Sequence, residues 1–218
     1  MSFVVTVDGP AGAGKSTVAR RVAKQLGIHY LDTGAIYRAV AYCLDKKGVA
    51  PTEGEELPRA LSAICVRLEN KNIFVNDEDV TDLIRSSRVD RVVSAYAALR
   101  AVRDTLLDIQ REQAKYGDLI VDGRYTGTVI FPEADIKFFL TASPEARAER
   151  RYRELLKKGE AVVYQEVLTQ MHERDHADRV RETAPLKEPV GAIHIDTSSM
   201  TENEVVNELS FIVQRGMS

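Results

Sequence analysis

One short stretch near the start of the chain, residues 9–16, constrains the fold more than any other. It reads GPAGAGKS and fits the pattern G-x-x-x-x-G-K-[S/T] without a gap. The preceding residues, 3–7, form an apolar, β-branched run that is typical of a buried strand. The following residues, 17–26, carry apolar side chains at helical spacing. Strand, glycine-rich loop and helix in this order are the context that the motif requires.

The residue types of this loop suit the binding of a triphosphate. Three glycines permit backbone conformations in which successive N–H groups point at phosphates, and the helix start adds its dipole. Lys15 supplies a mobile positive charge for the β- and γ-phosphates, and the Ser16 hydroxyl is a ligand for Mg²⁺. A glycine-rich turn without a ligand is the alternative, but it does not call for two glycines, a lysine and a serine or threonine at fixed positions within eight residues. We therefore predict that a P-loop binds a nucleoside triphosphate through Gly9, Pro10, Ala11, Gly12, Ala13, Gly14, Lys15, Ser16 and Thr17.

Composition limits the remaining classes of protein. A chain of 218 residues is long enough for one domain with a sizeable core. Its net charge of −3 gives no global basic field, so we expect no nucleic-acid partner. The only cysteines, Cys43 and Cys65, form no C-x-x-C pair, and Met1 leads straight into the first strand. We therefore expect a soluble, reduced, cytoplasmic protein with no membrane partner.

Strands and helices alternate along most of the chain. Apolar runs predict five strands at residues 3–7, 28–31, 119–121, 136–140 and 192–195. With helices between them, they predict an α/β fold with a doubly wound parallel sheet. Residues from about 52 to 88 break this rhythm: a short helix precedes two alternating segments, 66–69 and 73–75, which predict a small antiparallel insertion. From 89 to about 116 the pattern is helical, with a break near 97–99.

Several polar residues follow the ends of predicted strands, where ligands bind in open parallel sheets. Asp122 comes directly after a buried strand, at the position from which P-loop enzymes hold Mg²⁺ or its waters. Thr33 and Arg38 lie at the end of the second strand and on the next helix. Thr33 is equally well explained as the N-cap of that helix.

The distribution of arginines favours a second anionic ligand. One predicted helix carries Arg147, Arg150, Arg151 and Arg153, which suits a mobile lid over phosphates better than a solvated basic face. Five more arginines lie on separate segments that the fold could bring to one cleft: Arg38, Arg103, Arg124, Arg174 and Arg181. This pattern favours an acceptor that already carries a phosphate over a neutral alcohol. A GTPase would need an N-K-x-D element, which the sequence lacks, and a regulatory ATP-binding module would need neither lid nor acceptor arginines.

Over essentially its full length, the sequence resembles bacterial cytidylate kinases, which belong to the P-loop nucleoside monophosphate kinases. The stretches that carry the resemblance are residues 8–17, 31–38, 122–124, 127–132 and 174–186. The resemblance implies transfer of the ATP γ-phosphoryl group to CMP or dCMP with Mg²⁺, as part of pyrimidine nucleotide metabolism. It also implies a core of about 1–51, 89–143 and 184–218, a monophosphate-binding insertion of about 52–88 and a helical lid of about 144–183. We expect this unit to work as a monomer.

The resemblance also assigns roles to individual residues. It implies metal binding by Ser16 and Asp122, and catalytic roles for Lys15, Asp122, Arg124, Arg150 and Arg151. It implies contacts to CMP from Thr33, Arg38, Ser94, Arg103, Arg124, Tyr125, Arg174, Asp178 and Arg181.

One position departs from the family pattern. The family reads Asp-Gly-Arg-Asp, in which the last carboxylate would hold the sugar hydroxyls, whereas this chain has Tyr125 there. A catalytically weakened nucleotide-binding relative, or a P-loop kinase of another small phosphorylated acceptor, is therefore the alternative function.

Overall fold

The computed structural model of the chain describes residues 2–69, 72–180 and 183–217. The strands are β1 (Val4–Asp8), β2 (His29–Asp32), β3 (Val66–Glu69), β4 (Asn72–Val75), β5 (Glu78–Asp79), β6 (Leu119–Asp122), β7 (Ile136–Thr141) and β8 (Ile193–Asp196). The α-helices are α1 (Lys15–Leu26), α2 (Thr33–Lys46), α3 (Glu56–Ser62), α4 (Ser87–Ala98), α5 (Arg100–Glu112), α6 (Pro144–Lys157), α7 (Tyr164–Val180) and α8 (Glu202–Met217). Short 3₁₀ turns cover Leu83–Arg85 and Gln113–Tyr116, and a single π-helical turn covers Thr126–Ile130.

The chain forms two compact units, residues 1–31 with 114–218 and residues 32–113. The first is built on a five-stranded sheet of order β2-β6-β1-β7-β8, in which β1 pairs in parallel with both β6 and β7. All five residues of β1 are buried, as expected for a central parallel strand covered on both faces. The predicted α/β fold with its parallel sheet is confirmed, and each predicted strand is found within one residue at either end.

Side chains from the sheet and two helices form the main core of the first unit. Val5, Val7 and Leu140 pack with Val22 of α1 and Leu209 of α8, and all five are almost completely buried. A smaller cluster joins α6 to α7 and includes Ala11 of the P-loop. The P-loop therefore packs against side chains of α6 and α7.

The second unit contains the predicted antiparallel sheet, in the order β3-β4-β5. Residues 76–79 carry a turn signal in the sequence, but only Asn76 and Asp77 form the turn, with φ of 48° and 68°. Glu78 and Asp79 pair back onto β4 as a short strand. The sequence Asn70-Lys71-Asn72 is also typical of a turn, but residues 70 and 71 lie outside the described residues. The helical stretch breaks at Leu99, inside the predicted interval, because Leu99 has an extended backbone between α4 and α5.

Among the residues that the structure describes, no helix combines the length and the apolar character that crossing a membrane requires.

Candidate functional site

The P-loop joins β1 to α1, and two of its glycines are required by geometry. Gly9 has φ of 145°, and a Cβ there would lie 1.9 Å from the carbonyl oxygen of Leu140. Gly14 has φ of 88° and is the N-cap of α1. Because glycine brings no capping side chain, the first N–H groups of α1 are left to a bound anion. The local structure is therefore that of an anion-binding loop.

Lys15 is held inside this loop. Its side chain is 5% exposed, and its ammonium group donates a hydrogen bond to the carbonyl oxygen of Pro10 at 2.7 Å. Burial and, to a smaller extent, the positive charge of Arg124 lower the pKa of Lys15 to about 7, while the carboxylates of Asp122, Asp8 and Asp178 oppose this shift. A phosphate bound in the loop would therefore stabilise the protonated, positively charged form of Lys15.

A hydroxyl and a carboxylate meet beside the loop, as predicted. Ser16 Oγ donates to Asp122 Oδ2 at 2.7 Å, and Tyr30 Oη donates to Asp122 Oδ1 at 2.7 Å. Asp122 is 3% exposed at the end of β6. Mg²⁺ prefers oxygen ligands and is usually held through one or two protein oxygens together with phosphates and waters. The donor set of Ser16 and Asp122 fits such an ion, and Tyr30 is a partner that sequence reasoning missed.

Asp8, at the end of β1, organises the segment that follows β6. Its completely buried carboxylate accepts hydrogen bonds from the backbone N–H groups of Thr126 at 2.8 Å and Gly127 at 2.7 Å. Burial raises the pKa of Asp8, and these two hydrogen bonds oppose that shift. This role was missed from the sequence, although a carboxylate that ends an otherwise apolar strand is a signal for it.

Two predicted acceptor residues lie in contact. Arg124 Nε donates to Asp178 Oδ2 at 2.9 Å, which joins the end of β6 to α7. Tyr125, which follows Arg124, is buried at 6% exposure and precedes the π-helical turn. Arg174 is half-buried on α7, one turn before Asp178. The predicted contact from Arg181 lies outside the described residues.

Arg147 of α6 is buried. The sequence favours a lid over a solvated basic face for this helix, and the side chain of Arg147, at only 2% exposure, does not lie on a solvated face. It donates to Asp175 at 3.0 and 2.6 Å, and to the carbonyl oxygens of Ala142 and Ala11. Burial is possible because the carboxylate and two carbonyls satisfy the guanidinium. Arg147 thereby ties the P-loop to α6 and α7.

Arg150 and Arg151 of α6 lie nearer solvent. Arg150 donates to both the hydroxyl and the carbonyl oxygen of Thr197, the residue after β8. The Thr197 hydroxyl in turn donates to the carbonyl oxygen of Ala13 in the P-loop at 3.2 Å. Arg151 pairs with Glu154 along the helix at 2.9 Å. The predicted lid at 144–183 stays a prediction.

The second unit carries the remaining predicted acceptor residues. Thr33 is buried as the first residue of α2, and the N-cap is Asp32, whose carboxylate accepts from Ala35 N at 2.9 Å, so the N-cap interpretation of Thr33 is wrong. Arg38 pairs with Asp90 at 2.5 Å and donates to the carbonyl oxygen of Ile84 at 3.1 Å.

Two further predicted contacts lie on α4 and α5 of the same unit. Ser94 is exposed on α4. Arg103 is buried at 5% exposure, with its guanidinium 5.8 Å from the ring centroid of Tyr37. The aromatic face of Tyr37 therefore helps to hold the guanidinium of Arg103 in a defined position inside the unit.

Comparison with solved structures supports the fold. The structure of TT1252 from Thermus thermophilus aligns with a TM-score of 0.51 at 15% identity and covers 100% of this chain and 98% of that one. At this identity the likeness shows the fold alone.

Comparison with families and sequences goes further. The family model described as cytidylate kinase matches residues 5–215. A cytidylate kinase from Clostridium tetani is 43% identical over 214 residues, which cover 98% of this chain and 95% of the relative. A cytidylate kinase from Thermotoga neapolitana is 44% identical over 218 residues, 100% of this chain and 99% of the relative. With the P-loop and the Ser16–Asp122 pair in place, the match over nearly the whole length shows that this chain belongs to the cytidylate kinase family.

Proposed function

We propose that the protein transfers the γ-phosphoryl group of ATP to CMP or dCMP, giving ADP and CDP or dCDP. The observation that carries this proposal is the family match over residues 5–215, on a chain whose P-loop holds a buried Lys15 next to a carboxylate. The products follow from the chemistry, since an acceptor phosphate oxygen attacks the γ-phosphorus and ADP leaves.

The P-loop is proposed to bind ATP. Backbone N–H groups of residues 9–17 would surround the phosphates, and Lys15 would exchange the carbonyl of Pro10 for phosphate oxygens. The supporting observation is that the Lys15 ammonium has one short contact, at 2.7 Å, in a site that is otherwise shielded from water. A buried cation gains more from a phosphate than an exposed one, because the local dielectric is low.

Ser16 and Asp122 are proposed to hold Mg²⁺. When bound, Mg²⁺ would neutralise charge on the β- and γ-phosphates. For this, the Ser16 hydroxyl would present a lone pair to the ion, while its proton can stay hydrogen-bonded to Asp122 Oδ2.

The acceptor nucleotide is proposed to be bound by the residues that the family resemblance assigns to it. They are Thr33, Arg38, Ser94, Arg103, Arg124, Tyr125, Arg174, Asp178 and Arg181. A monophosphate carries close to two negative charges at neutral pH and is already a nucleophile, so no strong general base is needed. Arg124, Arg150 and Arg151 would instead stabilise charge on the phosphoryl group in flight. For Arg150 this requires release from Thr197.

The remaining expectations complete the proposal. Residues 52–88 would act as the monophosphate-binding insertion and residues 144–183 as the lid. The protein would act as a monomer in the cytoplasm on small molecules, without nucleic acid or membrane. Both cysteines are free thiols, Cys43 buried and Cys65 exposed, in keeping with a reducing compartment.

Replacing Arg124 with alanine tests the acceptor assignment. A charge-assisted contact to the CMP phosphate is worth about 1.5–3 kcal/mol, so kcat/KM for CMP should fall about 10- to 150-fold. The dissociation constant for ATP should change less than about threefold. Arg153→Ala is the matched control, because Arg153 is exposed on α6 and pairs with Glu149 of the same helix. Equal losses of ATP and CMP affinity in Arg124→Ala would move Arg124 to the ATP side.

Sugar recognition is tested at Tyr125. A phenol offers at most one neutral hydrogen bond where the family carboxylate would accept two, so CMP and dCMP should behave alike in the native protein. Tyr125→Asp should improve CMP binding by about 1.5–3 kcal/mol and leave dCMP binding weaker than CMP binding. Tyr125→Phe, which keeps the ring but removes the hydroxyl, is the control. If kcat/KM for both nucleotides is unchanged in Tyr125→Asp, Tyr125 does not contact the sugar.

ATP binding should be accompanied by proton uptake. With a pKa of about 7, Lys15 is mostly neutral at pH 8, and triphosphate charge should return it to the protonated form. Calorimetric titration at pH 8 in buffers of different ionisation enthalpy should therefore show uptake of about 0.9 proton per ATP. Uptake should be close to zero in Lys15→Met. The same uptake in both proteins would assign the proton to another group.

A further inference from the structure

The two oxygens of the Asp122 carboxylate are engaged by different groups. Tyr30 Oη donates to Oδ1 and Ser16 Oγ donates to Oδ2, each at 2.7 Å. Ser16 belongs to the P-loop and Tyr30 to β2, the strand next to β6 in the sheet. The carboxylate is therefore fixed from two sides in a buried place.

These two hydrogen bonds differ in what a metal ion would do to them. The Ser16 hydroxyl can ligate a cation through a lone pair of its own oxygen, so a cation at Oδ2 would also reach Ser16 Oγ. The Tyr30 phenol is a donor at neutral pH, so it continues to engage Oδ1. A cation would then find Oδ2 the better ligand of the two, because Oδ1 shares its negative charge with the phenol proton.

The position of the phenol is set by packing. The Tyr30 ring lies against the core formed by β1, α1 and their neighbours. The guanidinium of Arg20 lies 5.3 Å from its ring centroid. Since neither contact involves the carboxylate, the hydroxyl should keep its place when a cation arrives.

Carboxylates with one available oxygen suit some cations better than others. Mg²⁺ requires near-ideal octahedral geometry at 2.0–2.1 Å and keeps several waters, so it takes single oxygens. Ca²⁺ accepts six to eight ligands and commonly uses both oxygens of a carboxylate. We propose that Tyr30 is a positioning residue that restricts Asp122 to single-oxygen ligation and thereby favours Mg²⁺ over Ca²⁺. This inference rests on the metal site of the proposed function.

The test measures cation preference directly, without turnover. Mn²⁺ is bound to the protein–ATP complex without CMP, and its displacement by Mg²⁺ or by Ca²⁺ is followed by electron paramagnetic resonance of free Mn²⁺. The same titrations of ATP alone supply the reference. In Tyr30→Phe, the preference for Mg²⁺ over Ca²⁺ should fall about tenfold or more, as expected for loss of a hydrogen bond to a charged group.

Two variants separate the possible failures. Tyr116→Phe loses a hydroxyl on a side chain that is 70% exposed in the same unit, and it should keep the native preference. Asp122→Asn should weaken both cations strongly. If Asp122→Asn does so and Tyr30→Phe keeps the native preference, the role of Tyr30 is wrong and the metal site stands. If Asp122→Asn also leaves both affinities unchanged, the metal site itself is wrong. Metal-free ATP affinity and the melting temperature of Tyr30→Phe verify that the fold is kept.

Discussion

Lys15→Ala should lower kcat for CMP phosphorylation by at least 10- to 150-fold, which corresponds to about 1.5–3 kcal/mol for one lost charge-assisted contact. The loss should be larger if the contact strengthens in the transition state, since only such contacts raise kcat. The physical reason is the position of Lys15: its buried ammonium lies within the loop, where the phosphates would be bound.

Steady-state assay of CDP formation measures this effect, with the melting temperature as a check on folding. Lys24→Ala is the matched control, because Lys24 is exposed in the last turn of the same helix and should be almost neutral. A Lys15→Ala protein with near-native kcat would refute the P-loop mechanism.

Asp175→Ala should destabilise the protein by about 3–5 kcal/mol, because it leaves the buried guanidinium of Arg147 without its carboxylate. Arg147 is 2% exposed and makes two hydrogen bonds to Asp175, so solvent cannot replace that partner. For a chain of this length, such a loss lowers the melting temperature by roughly 6–20 °C.

The free energy of unfolding of three variants, measured with denaturant, separates the contribution of the buried Arg147–Asp175 pair from that of an exposed pair. Glu149→Ala breaks an exposed pair with Arg153 on the same helix and should cost less than about 1 kcal/mol. The double variant Arg147→Met, Asp175→Leu removes both charges and should be more stable than Asp175→Ala alone. Equal stability of Asp175→Ala and Glu149→Ala would show that the buried pair has no special role.

The central sheet was predictable because its information is local. Apolar runs bounded by turn residues located all five strands within one residue, and the glycine-rich loop indicated which strand lies beside the phosphate site. The break at Leu99 was found for the same reason, since apolar periodicity changes phase there. Ser16 and Asp122 lie in contact because the carboxyl ends of adjacent parallel strands meet at one edge of the sheet, while their binding of a metal stays a prediction.

Features that depend on distant partners were not predictable. Nothing in the local sequence distinguishes Arg147 from the exposed arginines of its helix. Its burial depends on a carboxylate partner, Asp175, that lies 28 residues later. Asp8 and Tyr30 gain their roles from segments more than 90 residues away, at Thr126 and Asp122. Thr33 and Asp32 are both good N-cap residues by type, and only the backbone geometry decides for Asp32. The sequence also contains no signal for the compact unit of residues 32–113, which extends beyond the predicted insertion.

The central claim is tested most directly by release of ADP from ATP and Mg²⁺ with a panel of acceptors: CMP, dCMP, UMP, AMP, shikimate and cytidine. We expect the highest kcat/KM for CMP and dCMP. We expect no acceptor-dependent ADP release with cytidine, because cytidine lacks the attacking phosphate. ADP release that does not depend on CMP or dCMP, or that is faster with another acceptor of the panel, would contradict the central claim.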